Sequence, residues 1–221
     1  LACGIVSMLK TFGSVQVFDI SGVWRNLSDL PYYSKAFKLN DRLAIQDLGD
    51  KSGIYDLSHL TIKESQAFVE QQAKTIWEKR LSLPSQYLTP LWLVFEEASS
   101  YLRYARNSDN LARIIYIGRN MLVRTVLISV DLALLDPSII RLCSIRFHGF
   151  LNIEENSKRK FKSYYGSDMA KVAYEGLQSG DFIRLHKRKL DIVSVPLFTA
   201  QHKPRNIIEA TDTCAEEEGY P

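Results

Sequence analysis

Leu91-Trp92-Leu93-Val94-Phe95-Glu96-Glu97-Ala98 is the stretch from which the rest of the chain is read. Five apolar residues, rich in β-formers, follow Pro90 without polar alternation. Such a run suits a strand buried on both faces, as in the parallel sheet of an α/β domain. It stops at two acids. Ligands of open α/β sheets bind in the crevice beyond the carboxyl ends of the strands, so a charged pair there marks a candidate site. Two adjacent carboxylates suit phosphoryl transfer, in which one acid holds Mg²⁺ directly or through water and the next orients and deprotonates an attacking water. On that reading Glu96 is the metal acid and Glu97 the base. The plainer alternative is that Glu-Glu-Ala opens a helix, because acids in a first turn favour the macrodipole and need no metal.

On the amino side, Leu1 to Lys10 reads as the end of a helix with Gly13 as a left-handed stop. Val15 to Ile20 is a strand running into Asp19-Ile-Ser-Gly22-Val-Trp-Arg25, an acid and a glycine at another strand end, which a simple strand-to-loop turn also explains. Asn26 to Asp50 is a mixed connection with a marginal strand near Leu43 to Leu48. Gly53 to Ser58 makes a short strand, and Thr61 or Ser58 caps a helix over Lys63 to Arg80, where Ala67, Phe68, Ala73, Ile76 and Trp77 recur at helical spacing.

On the carboxyl side, Ala98 to Arg106 continues as helix, and Asn107 to Asn110 starts another that Gly118-Arg119-Asn120 breaks. Arg124 to Val130 is a further buried strand ending at Asp131. Asp136-Pro137 is an N-cap followed by proline at the first helical position. Ser144 to Phe150 is a strand, Glu154 to Tyr165 a basic amphipathic helix closed by Gly166, and Asp168 to Glu175 a last short helix. Gly176 to Gly180 turns into two strands, Phe182 to His186 and Ile192 to Val195, joined across Lys187-Arg188-Lys189. Strands alternating with helices predict a mainly parallel sheet with helices on both faces. Residues 1–198 form the folded part, and 199–221 read as an irregular polar tail.

The 221 residues suit one large domain, and 46% hydrophobic with 24% charged residues marks a globular chain. A net charge of +3 permits nucleic acid as a partner without requiring it. Cys3, Cys143 and Cys214 show no metal-ligand or redox spacing, which suggests a reducing compartment. No apolar run approaches the roughly 20 residues of a membrane span. The opening Leu-Ala-Cys-Gly-Ile-Val-Ser-Met-Leu lacks an initiator Met and already looks like a helix face, so the chain is read as a fragment.

Taken in order, these pieces resemble the HerA/FtsK superfamily of ring-forming P-loop ATPases that move double-stranded DNA, and most closely its HerA branch. The likeness runs from about Val15 to Phe198. Val17 to Gly22 resembles the acidic strand end after the family's P-loop helix, and Tyr55 to Leu60 its strand before Walker B. Leu91 to Ala98, with Tyr101 behind it, resembles the Walker B strand itself. Gly118-Arg119, Leu135 to Ile140 and Gly176 to Gly180 resemble its arginine motif, the segment after the sensor strand and the C-terminal hairpin. Three departures stand out. A Gly-rich P-loop is absent, Ser129-Val-Asp131 replaces the usual sensor glutamine, and Ser99 replaces an aromatic or histidine.

The resemblance implies a RecA-like P-loop ATPase core with a C-terminal β-hairpin, ATP and Mg²⁺ as cofactors, double-stranded DNA as partner, and a homo-oligomeric ring of six subunits in the cytoplasm with a nuclease partner. It implies contacts to nucleotide from Asp19, Ser129 and Asp131, metal binding by Glu96, and water activation by Glu97. Arg119 would neutralise charge on the transferring phosphoryl group, in cis or across a subunit boundary, from the same side of the sheet as Glu97. Two basic clusters, Lys158-Arg159-Lys160 and Lys187-Arg188-Lys189, could meet DNA phosphates, although such runs are more often solvated surface. Two other readings remain. One is a ring subunit that binds nucleotide but hydrolyses it poorly, and the other an unrelated α/β enzyme using Glu96 and Glu97 on another phosphate substrate.

Overall fold

The computed structural model describes residues 2–26, 32–34, 37–39, 42–44, 51–102, 109–130, 134–149, 155–178, 180–186 and 189–195. The chain runs α1 (Ala2–Leu9), β1 (Ser14–Asp19), β2 (Tyr32–Ser34), β3 (Phe37–Leu39), β4 (Arg42–Ala44), β5 (Gly53–Asp56), α2 (Ile62–Ser82), β6 (Leu91–Phe95), α3 (Ser99–Leu102), α4 (Asp109–Ile117) and β7 (Val123–Leu127). It continues with α5 (Pro137–Leu142), β8 (Ile145–His148), α6 (Glu155–Tyr165), α7 (Ser167–Lys171), β9 (Asp181–His186) and β10 (Lys189–Ser194).

The apolar run 91–95 is the strand β6, paired in parallel with β1 on one side and β7 on the other. The whole sheet has the order β2-β5-β1-β6-β7, a parallel core of four strands extended by the short β2. Alternate side chains enter two cores. On one face Phe18, Tyr55, Leu91, Leu93, Phe95 and Val123 pack with Phe68, Val69, Ala73 and Ile76 of α2 and Leu111 and Ile114 of α4. On the other, Val15, Val17, Ile54 and Val94 meet Val6 and Leu9 of α1, with Trp24 beside them. Burial on both faces is what makes these strands read as continuous apolar runs.

Local chemistry fixes the ends of the covering helices. Thr61 caps α2 in a full capping box with Glu64. Glu70 of α2 accepts from the backbone N–H groups of Asn110 and Leu111, at 2.7 and 3.1 Å, and so holds the start of α4 against α2. Asp136 caps α5 by accepting from the Ser138 N–H at 2.8 Å.

Two expectations change, at Gly13 and in the last helix, and one expected strand belongs to a sheet of its own. Gly13 is not in the left-handed region. It is needed for closeness, because a Cβ there would lie 2.3 Å from the Pro90 carbonyl oxygen where the entries to β1 and β6 touch. The strand from Ser144 does not join the parallel sheet. It is β8, the edge of a separate antiparallel sheet β10-β9-β8, whose pairing partner is the hairpin that follows it. The last helix is also two pieces, α7 followed by a π-helical turn over Val172–Gly176. The tail from Thr199 lies outside the described residues, as does most of Asn26 to Asp50.

Candidate active site

β1, β6 and β7 are parallel neighbours, so their carboxyl ends deliver Asp19, Glu96 and Ser129 to one edge of one sheet. Asp19 is fully buried there. Its carboxylate accepts from the Gly22 N–H at 2.8 Å, the Trp24 N–H at 2.9 Å and the Ser21 hydroxyl at 3.2 Å. Gly22, at φ 73°, lets the loop fold back onto the acid. Burial raises the Asp19 pKa, opposed by these hydrogen bonds, and the charge of neighbouring Asp56 raises it further. With both oxygens engaged by its own loop, Asp19 shapes the turn and presents Ser21.

Glu96 follows β6 directly, its N–H bonded to the Phe18 carbonyl at 3.1 Å. Burial raises its pKa, hydrogen bonding from Ser21 counters this, and the charges of Asp19 and Glu97 add to the rise. Its Oε2 is buried and has no hydrogen-bond partner among the described residues. A desolvated, unpaired carboxylate oxygen is costly unless something cationic or protic meets it. The fit to Mg²⁺ is good, since that ion takes hard oxygens and usually only one or two protein carboxylates, with phosphate and water completing its shell. Among the described residues no three His, Cys, Asp or Glu converge as a complete protein cage. Glu96 would hold the ion, with the Ser21 hydroxyl nearby, and the ion would supply charge neutralisation at the phosphates.

Glu97 does not open a helix. It has φ 49°, in the left-handed region, and α3 begins only at Ser99. The chain turns tightly because Ala98 returns to the sheet, donating to the Ile128 carbonyl at 2.7 Å, while Glu97 Oε1 accepts from the Val130 N–H at 3.3 Å. Backbone strain of this kind in a bulky residue concentrates at functional sites. Glu97 and Ser129 are both half-buried, beside the end of β7. Asp131 lies outside the described residues.

Two residues join the site without having been assigned a part in it. Ser21 links Asp19 to Glu96. Tyr101 is buried against Phe95, and its hydroxyl finds no partner among the described residues. Burial raises its pKa strongly, and so do the charges of Glu96, Asp19 and Glu97, which places the phenol beside the acids. The sequence signal for Tyr101 is its place in the short helix that follows the two acids.

Arg119 is elsewhere. Its carbonyl accepts from Leu122, whose own carbonyl accepts from Leu91, the first residue of β6. The guanidinium-bearing segment therefore lies at the amino edge of the sheet, about 16 Å from Glu97 along a five-residue strand. The expected shared edge is wrong because β7 begins after Arg119 and runs parallel to β6, so everything just before β7 belongs to the opposite end. This placement sets the backbone of Arg119 at the opposite edge of the sheet from Glu97.

Of the basic clusters, Lys158 and Arg159 are exposed on α6, with the Lys158 ammonium 5.3 Å from the centre of the Tyr174 ring. Lys160 is half-buried and donates to the Leu135 carbonyl at 3.4 Å. Lys189 is exposed at the start of β10, and Lys187 and Arg188 lie outside the described residues.

No family model matches the sequence, and no curated protein matches it. Solved structures do. The genome packaging NTPase B204 from Sulfolobus turreted icosahedral virus 2 in complex with ATP-γS superposes with a TM-score of 0.65 at 14% identity, over 87% of this chain and 88% of that one. Its complex with AMPPCP gives 0.61 at 13% identity, over 88% and 89%. B204, the DNA-packaging ATPase from Sulfolobus turreted icosahedral virus, gives 0.50 at 12% identity, over 84% and 98%. The chain therefore has an α/β fold of the P-loop NTPase kind, with an added antiparallel sheet.

Proposed function

We propose that this chain carries the catalytic carboxylates of an ATP-driven motor that moves double-stranded DNA, of HerA type within the HerA/FtsK superfamily. The observation that carries the reading is the carboxyl-edge cluster: Glu96 with an unpaired buried oxygen beside Ser21, and Glu97 held in a left-handed turn against β7. The likeness to nucleotide-bound B204 supports it.

Glu96 binds Mg²⁺, which neutralises charge on the phosphates. Glu97 accepts the proton of the attacking water, and its tether to the Val130 N–H aims the carboxylate. On this reading Ser129 and Asp131 act on the γ-phosphate side of the nucleotide. The 221 residues hold no Gly-rich loop ending in Gly-Lys-Ser/Thr, and among the described residues β7 is an edge strand of the parallel sheet. A strand and phosphate loop paired with β7 would bring the triphosphate to Glu96 and Glu97. The subunits form a homo-oligomeric ring, a hexamer, and Lys158, Arg159 and Lys189 contact DNA phosphates. No described helix is long and apolar enough to cross a membrane. Cytoplasmic operation and a nuclease partner belong to the same reading.

The replacement of the sensor glutamine by Ser129-Val-Asp131 favours one second reading, a ring subunit that binds nucleotide and hydrolyses it slowly. One experiment separates the two. With the upstream codons restored, wild-type protein should hydrolyse ATP, and Glu97→Gln should keep ATP binding while losing at least about a hundredfold in turnover. Binding without turnover in the wild type selects the second reading. An upstream sequence with no Gly-Lys-Ser/Thr loop overturns both.

A further inference from the structure

The small antiparallel sheet and α6 lie outside the proposed ATPase chemistry, and they enclose a cleft of about 410 Å³ lined by Ser144, Arg146, Tyr164, Tyr165, Leu185 and Leu190. That volume falls in the range of small-molecule sites. Its chemistry is one-sided. Arg146 is the one charged residue in the lining among the described residues, and no acid faces it. The Arg146 Nε donates to the Cys143 carbonyl at 3.3 Å and Nη1 to the Tyr165 hydroxyl at 3.2 Å, with the guanidinium 5.8 Å from the Tyr165 ring centre. On β9, Arg184 finds a two-pronged partner in Asp191 of the same hairpin, with Nε donating to Oδ1 at 3.0 Å. Arg146 has no such acid among the described residues.

The floor of the cleft is fixed in place. His148 Nε2 lies 2.9 Å from the Tyr165 hydroxyl. Burial and the nearby Arg146 push the His148 pKa down to about 4, so the ring is neutral near pH 7. Arginine can only donate, so the Tyr165 hydroxyl accepts from Arg146, and it shares a second hydrogen bond with His148 Nε2. The guanidinium charge is thus uncompensated, and its remaining N–H groups are available to the cleft. Beside it Tyr164 is half-buried, its ring tilted 48° from that of Tyr165 at 6.1 Å, and Leu185 and Leu190 supply apolar surface. Lys162 and Lys189 are exposed next to the lining residues.

We propose that this cleft binds one nucleotide unit, with a phosphate on Arg146 and the base against Tyr164. A guanidinium fork matches phosphate oxygens two at a time. A partly exposed aromatic ring beside a cation is the arrangement on which unpaired bases stack. A simple carboxylate would satisfy Arg146 but leave the tyrosine ring and the leucines uncovered. A stacked duplex base cannot reach the ring, so the unit comes from a single strand or from a free nucleotide. The inference is independent of ATP hydrolysis at the carboxyl edge.

The test is fluorescence anisotropy of the 221-residue chain with a labelled short oligothymidylate, with its duplex and thymidine monophosphate as competitors. Single strand should bind better than duplex, and Arg146→Gln and Tyr164→Ala should each weaken binding at least about tenfold. Arg146→Gln also removes a contact that holds Tyr165, whereas Tyr164→Ala leaves the Arg146–Tyr165–His148 chain intact, so a melting curve of each variant accompanies the titration. Competition by the monophosphate that Tyr164→Ala abolishes assigns the site to free nucleotide, and its absence assigns the site to a strand. The proposal is overturned by three results: no binding of strand or monophosphate, undiminished single-strand binding by folded Tyr164→Ala, or duplex binding that Tyr164→Ala weakens as much as single-strand binding.

Discussion

Glu97 shows how much one residue can hold against its own preference. A left-handed conformation costs a bulky side chain about 1 to 2 kcal/mol, and glycine adopts it freely. Glu97→Gly should therefore leave the unfolding free energy unchanged or raise it by up to about 1 kcal/mol, despite losing the bond to Val130. A clear drop in urea denaturation would mean that the side chain, and not the packing of Ala98 under β7, holds the turn. His148 gives a pH prediction. Its folded pKa of about 4 lies below the ordinary 6.5, so between those values the unfolded chain takes up a proton that the folded chain refuses. Stability from this group is complete above pH 6.5 and falls as pH drops toward 4, by at most about 3 kcal/mol. Asp19 and Glu96, with raised pKa values, act with the opposite sign but belong to the other sheet. His148→Gln should thus lose less stability on acidification than the wild type, and parallel pH profiles for the two proteins would refute the shift.

Elements meet in this fold through a few close contacts that sequence periodicity does not report. α2 was legible from its apolar spacing and from Thr61 with Glu64, because caps and periodicity are local. The contact between the entries to β1 and β6 is not local. Gly13 looks like a helix stop, yet its backbone is ordinary and its value lies in the missing Cβ beside Pro90. Gly13→Ala should therefore cost roughly 1 to 3 kcal/mol by overpacking, and more if the strand entries cannot separate. Chemical denaturation measures it. A neutral result would show that the Pro90 carbonyl yields. The strand at Ser144 was legible as a strand but its sheet was not, because a strand's own residues fix that it is a strand and not which sheet receives it.

Across the whole molecule the sheet is polar in function, with acids at the carboxyl edge and Arg119 at the amino edge. If Arg119 serves catalysis, it reaches the site of a neighbouring subunit. In the restored protein, Arg119→Ala and Glu97→Gln subunits should each be inactive alone and regain ATPase activity when co-assembled, because some junctions then pair an intact base with an intact arginine. No recovery, or an Arg119→Ala protein with normal turnover, removes Arg119 from the chemistry. The run 91–98 by itself determined a buried strand ending in a carboxylate pair, because apolar continuity and abrupt charge are written in consecutive residues. Alternation of strands and helices likewise determined the α/β class. Only the tertiary structure decided that Asp19 spends both oxygens on its own loop, that Ser21 and Tyr101 flank Glu96, that Glu97 turns left-handed, and that Arg119 lies a strand's length away. Each of these depends on strand direction and register between segments distant in sequence, which no local pattern of residues encodes.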